Sequence, residues 1–231
     1  MGKFSKVEKL TDFQLLKHKV YEAIKKRIID LSLLPNEQLA EKRLADSLGV
    51  SKSPVREALQ SLEREGLIYT LPFKGCFVAR ITEKGIREVF QLREALETFC
   101  VKEACEVFSP EAIAKARKIL AGAEDCLRMN DIKRCYACNL RFHDFLITNN
   151  KNDRISQTYA TLRDHLDRYR NIGRHITGRV ARSHQEHILI MEALEQQERT
   201  LVEQRMSDHL RSVLNEFLQS TELKSYYMNE V

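Results

Sequence analysis

Three histidines in the later part of this 231-residue chain are of the type that most readily binds a transition metal. They are His143 in NLRFHDFL, His187 in SHQEHILIMEAL and His209 in MSDHLRSVL. Each stands in a stretch with helical apolar spacing: beside Phe142, Phe145 and Leu146, beside Ile188, Ile190 and Met191, and beside Met206, Leu210 and Val213. Asn139 lies one turn before His143 and shares its face. Three imidazoles and one oxygen from three helices could close around a divalent transition ion. Spacing alone leaves the ordinary alternative open, in which each histidine is a core or hydrogen-bonded residue. Arg93, in VFQLREALE, stands among Phe90, Leu92 and Leu96. A partly inward arginine needs a carboxylate, either an internal one such as Glu97 or one carried by a ligand.

A second constellation occupies residues 39–67, LAEKRLADSLGVSKSPVREALQSLEREGL. Ser51, Lys52, Ser53 and Arg56 open a helix after a glycine turn. Small and hydrogen-bonding residues at that place meet base edges and phosphates in a major groove. Lys42 and Arg43 on the preceding helix could grip the DNA backbone. Lys74, beside flexible Gly75, could reach a phosphate or the minor groove. Any one of these charges could be a solvated surface group; their concentration on one motif points to DNA. The charge distribution agrees. Residues 14–82 carry 12 Lys/Arg against 8 Asp/Glu, a net +4, whereas residues 83–231 carry 23 of each.

The elements that must position these residues follow from periodicity and breakers. Residues 1–12 read as a loose charged tail. A first helix over 13–31 has Leu16, Val20, Ile24 and Ile28 at helical spacing, and Leu34-Pro35-Asn36 breaks it. A second helix over 40–48 ends at Gly49, and a third spans 51–66 with Ser51 or Ser53 as cap and Pro54 in its first turn. Val55, Leu59, Leu62 and Leu67 would face a core. Strand-like runs at 67–71 and 76–81, joined by Pro72-Phe73-Lys74-Gly75, make a hairpin with a basic tip. Thr82 then reads as an N-cap, and helices follow near 83–107, 110–129, 132–148, 153–172, 178–197 and 200–220, the second starting at Ser109-Pro110-Glu111. The expected fold is mainly α: an N-terminal winged helix-turn-helix over 13–82, of three helices plus a β-hairpin wing, then an all-α six-helix bundle over 83–220 and a short tail over 221–231.

No run of 18 or more apolar residues is present, so no membrane-spanning helix is expected, and the N-terminus lacks the apolar core of a secretory signal. The six cysteines fall within predicted strands or helices and read as small buried apolar residues of a reducing, cytoplasmic protein. His184 could face a ligand or solvent. Arg163, Arg168, Arg170 and Arg174 crowd one helix and its end, as a solvated or dimer-facing stripe or as further anion contacts.

The stretch LAEKRLADSLGVSKSPVREALQSLEREGLI, with PVREAL at 54–59, and the wing PFKGCFV resemble the winged helix of the GntR family of bacterial transcription regulators. Two positions depart from that pattern. Asn36 replaces the glycine usual after Pro35, and Asn tolerates a left-handed backbone. Lys52 replaces a more usual arginine and loses bidentate guanine recognition. Residues 83–220 resemble the helical ligand-binding domain called FCD. That resemblance implies a metal held by Asn139, His143, His187 and His209, with Asn139 in place of the usual Asp, and it implies that Arg93 holds the carboxylate of a small organic acid. The implied protein is a cytoplasmic regulator, a repressor and not an enzyme. It would bind operator DNA as a homodimer and respond to a small carboxylate metabolite bound with a divalent transition metal, Zn or Ni. The alternatives are a metal-dependent hydrolase with a DNA-binding appendage and a sensor of the metal ion itself.

Overall fold

The computed structural model describes residues 4–173, 176, 178–221 and 224, with side chains from residue 14 onward. The chain divides into two compact units, residues 1–81 and 82–231.

In the first unit, α1 (Phe4–Ile29) buries Val20, Ile24 and Ile28, and packs on α3 (Lys52–Arg64) through Val55, Leu59 and Leu62. Leu16, expected on the same buried stripe, is exposed; the core begins at Val20. The helix also starts earlier than its apolar period suggests. Residues 4–12 are helical rather than a loose tail, because Lys and Glu are good helix formers and a charged segment can extend a helix without apolar spacing. The expected C-terminal tail lies largely outside the described residues. Between these helices, α2 (Glu41–Leu48) stops at Gly49, whose φ of 66° is the left-handed cap expected there. Ser51 holds the N-cap position of α3 in extended conformation, but its hydroxyl makes no capping bond and stays exposed.

Three short strands complete the unit: β1 (Gln38–Leu39), β2 (Ile68–Leu71) and β3 (Gly75–Val78), in antiparallel order β1-β3-β2. The hairpin was legible in sequence; β1 was not, since two residues leave no alternation to read. Asn36 does take the left-handed conformation, φ 66°, and its Oδ1 accepts from Tyr69 Oη at 2.6 Å, tying this turn to β2. At the wing tip the Lys74 N–H donates to the Leu71 carbonyl at 3.1 Å, closing a turn through Pro72 and Phe73. Phe73 has φ 63°, a left-handed value that costs an L-residue roughly 1–2 kcal/mol.

The second unit is α4 (Glu83–Val107), α5 (Pro110–Arg128), α6 (Ile132–Thr148), α7 (Asp153–Gly173), α8 (Arg179–Glu195) and α9 (Arg199–Gln219). Thr82 Oγ1 accepts from the Gly85 N–H at 3.0 Å and Ser109 Oγ from the Ala112 N–H at 3.3 Å, so both expected caps form. Helix α4 packs along α9, α5 along α6 and α8 along α9, around Val101, Leu120, Phe142, Leu146, Met191, Leu194 and Met206. All six thiols are free. Cys76 and Cys138 are only half-buried, and burial pushes Cys135 up to about 11 and Cys100 up to about 12, which keeps those thiols protonated.

Leu62→Ala empties a fully buried site in the α1–α3 interface and should lower the unfolding free energy by about 3 kcal/mol. Urea denaturation followed by circular dichroism measures it; a loss below about 1 kcal/mol would place Leu62 outside the cooperative core.

Candidate functional site

Helices α6, α8 and α9 bring His143, His187 and His209 to one point inside the second unit. Their Nε2 atoms form a triangle with edges of 2.9 Å (His143 to His187), 3.2 Å (His187 to His209) and 3.3 Å (His143 to His209). All three rings are buried. Nitrogens bound to one ion at about 2.1 Å stand roughly 3.0–3.4 Å apart, for right-angle and tetrahedral arrangements respectively, so the triangle has the size of a metal-binding face. Asn139 is also buried. Its Nδ2 donates to the Val180 carbonyl at 3.1 Å, which leaves Oδ1 as the atom without a hydrogen-bond partner among the described residues.

Two carboxylates orient two of the rings. His143 Nδ1 lies 2.5 Å from Glu97 Oε2, and His209 Nδ1 lies 2.7 Å from Glu186 Oε2. A carboxylate only accepts, so each Nδ1 carries the proton and each Nε2 presents a lone pair to the triangle. Burial would push Glu97 up, but the Arg93 guanidinium and His143 outweigh it and hold the carboxyl well below its usual range. Glu186 is likewise held down against its burial, by His209, Arg179 and Ser212. Burial pushes His143 down to about 4 despite Glu97, and lowers His187 and His209 as well. At neutral pH the three imidazoles are therefore uncharged, the form that ligates metal. The Nε2 lone pairs of His143 and His209 converge on the Nε2 of His187, whose Nδ1 has no partner among the described residues to fix its tautomer, and the orphaned Asn139 oxygen is a further neutral donor. The donor set fits a borderline transition ion such as Zn or Ni.

Arg93 reaches the same place from α4. It is buried, its Nε donates to Glu97 Oε1 at 2.6 Å, and Tyr159 Oη donates to that same oxygen at 2.7 Å. Arg93, Asn139 and the three histidines all line one cavity of about 700 Å³ including its opening to solvent. Leu92, which helped mark Arg93 as inward, is itself exposed; the buried partners are Phe90 and Glu97. Arg170 and Arg179 line the cavity too. Arg179 bonds Ser183 and Ser212 at 3.0 Å, Glu216 at 2.7 Å and Glu186, so it braces the outer carboxylate rather than standing free. Of the arginine stripe, Arg163 pairs with Asp144 near the surface, Arg168 is buried, and Arg174 lies outside the described residues. His184 is buried, so it does not face solvent, and it is not among the residues lining the cavity. Sequence reasoning named Glu97 as a salt-bridge partner and missed its grip on His143. The grip of Glu186 on His209 was not legible there either. No local pattern announces a bond between residues 46 or 23 positions apart.

On the first unit, Lys42 and Arg43 of α2, Ser51 before α3, Lys52, Ser53 and Arg56 on α3, and Lys74 and Gly75 at the wing are all exposed. Arg56 is engaged: its Nε and Nη2 donate to the two Glu41 oxygens at 3.0 and 2.9 Å. That pair links the starts of α2 and α3, orients the guanidinium, and keeps the Glu41 carboxyl below its usual range. Gln38 Nε2 donates to the Lys74 carbonyl at 2.8 Å, so β1 steadies the wing tip.

The comparisons agree with this architecture. The family model described as bacterial regulatory proteins, gntR family, matches residues 16–78, and that of the FCD domain matches residues 88–212. An uncharacterized HTH-type transcriptional regulator of Streptomyces ambofaciens is 30% identical over 199 residues, covering 85% of this chain and 83% of its own length. The HTH-type transcriptional repressor RspR of Escherichia coli is 22% identical over 221 residues, covering 96% and 97%. A solved GntR regulator from Rhodococcus sp. RHA1 shares the fold with a TM-score of 0.69 at 22% identity, over 88% of this chain and 98% of that one. A winged helix-turn-helix followed by a helical domain of this family is the make-up of a DNA-binding transcription regulator. This chain belongs to the GntR family and carries an FCD domain. Its relatives are regulators, not enzymes.

Glu97→Ala would leave Arg93 buried without its counter-charge and His143 without its Nδ1 acceptor. The loss of unfolding free energy should be about 3–5 kcal/mol, read by urea denaturation; a loss below about 1 kcal/mol would deny Glu97 its central place.

Proposed function

We propose that this protein is a cytoplasmic homodimeric repressor whose operator affinity is set by a small carboxylate bound together with a divalent transition metal, Zn or Ni, in the second unit. The observation that carries the reading is the buried triangle of histidine Nε2 atoms, two of them oriented by carboxylates, in a cavity that Arg93 also lines. Asn139 would supply the fourth donor. Three imidazoles and an amide are all neutral, so a bound dication keeps its full charge, and an anionic ligand beside it and Arg93 offsets that charge. The ion supplies a Lewis-acidic anchor for the carboxylate. Helix α4 carries Arg93 and Glu97 and follows the winged unit directly in the chain, so a ligand that displaces α4 can be felt at the recognition helices.

In the first unit, α3 would enter the major groove with Ser51, Lys52, Ser53 and Arg56, while Lys42, Arg43 and Lys74 with Gly75 hold phosphates. One such unit reads too few bases for useful specificity, which favours two copies on a pseudo-palindromic site. Leu92 and Phe99, seven residues apart on α4, are exposed and offer an apolar stripe for a second copy. Relatives named as repressors, RspR and the gluconate operon transcriptional repressor of Bacillus licheniformis, support the direction of control.

Arg56→Ala should abolish sequence-specific DNA binding in mobility-shift assays while circular dichroism and oligomeric state stay unchanged; retained specific binding would remove Arg56 from the reading surface. His143→Ala combined with His209→Ala should lose the metal that elemental analysis finds in freshly purified protein. Retained stoichiometric metal would show the ligands to be elsewhere. Operator affinity that follows metal concentration with no organic acid present would instead make the ion the signal.

A further inference from the structure

The tip of the wing carries an aromatic ring that phosphate contact does not use. Phe73 is exposed to 108% of its reference area, between Pro72 and Lys74. Its left-handed backbone fills the third place of a turn where glycine or asparagine is the unstrained choice. The support is stiff. Pro72 fixes its own φ, the Lys74 N–H is bonded to Leu71, the Lys74 carbonyl is held by Gln38, and β1 and β2 flank β3. An apolar ring is thus held out in water on a strained, braced turn, one residue before a lysine and on the same unit as the basic α2–α3 surface.

We propose that Phe73 is an apolar wedge that enters the minor groove of the operator beside the major groove occupied by α3, pressing between stacked base pairs while Lys74 contacts a neighbouring phosphate. The inference rests on α3 being the recognition helix. Wedges of this kind partly unstack one base step and bend the duplex, at least cost where a pyrimidine precedes a purine. Phe73 would then confer sequence preference at a step that no hydrogen bond reads. The lysine next in the chain and the basic α2–α3 surface of the same unit give DNA, rather than an apolar protein partner, as the occupant.

The test uses the full chain and a duplex enriched by the wild-type protein from a random-sequence library. Phe73→Asn suits the left-handed backbone and should fold at least as stably, yet bind the enriched duplex about tenfold more weakly with an unchanged salt dependence. Phe73→Leu, which keeps an apolar wedge, should retain most of the affinity. Lys74→Ala should instead reduce the salt slope by about one. 2-Aminopurine placed at the unstacked step should brighten with wild-type protein and not with Phe73→Asn. Wild-type affinity in Phe73→Asn, with no fluorescence change at any step, overturns the proposal. Undiminished binding by Arg56→Ala would overturn the placement of α3, a separate failure.

Discussion

Glu97 is the group on which the second unit turns. A carboxylate taken wholly out of water is costly unless every lone pair finds a donor. Here Arg93 from its own helix, His143 from α6 and Tyr159 from α7 all converge on it. The three elements are therefore tied by a requirement that apolar packing does not impose, since removing any one donor would leave the buried charge short of a partner. The same bond that satisfies Glu97 also sets which nitrogen of His143 bears the proton, so a stability constraint becomes a chemical one. Glu186 repeats the arrangement from the other side, held by Arg179 and Ser212 and holding His209.

The outcome is a site whose inner donors are neutral and whose outer ring is charged. Burial keeps the imidazoles uncharged, and the carboxylates stay ionised because their partners are cationic or donate to them. Such a centre is suited to a cation at the triangle, and this is the ground on which the proposed metal-anchored carboxylate stands.

The first unit uses an ion pair for a different end. Glu41 and Arg56 meet at the surface, where a pair adds little stability, but their two parallel bonds fix the direction of the guanidinium. Asn36 shows how a departure from pattern is absorbed. It takes the left-handed conformation that glycine would take and adds a bond to Tyr69 that glycine could not make.

Much of this was present in the residue order. Apolar spacing, Gly49, Thr82, Ser109 and Pro110 act over one or two helical turns, so the helices, their caps and the hairpin wing could be read directly, and the glycine-turn and PVREAL pattern marked the helix-turn-helix. Local signals were weakest where an element is very short, as in β1, or highly charged, as at the start of α1. The histidines could be named as candidates, but their spacing is equally that of core residues. Only the tertiary structure made them a site, because it closes three helices to about 3 Å between nitrogens and places Glu97 and Glu186 behind two of the rings. Bonds across 23 to 66 positions depend on how whole helices pack, and no short-range rule carries that information.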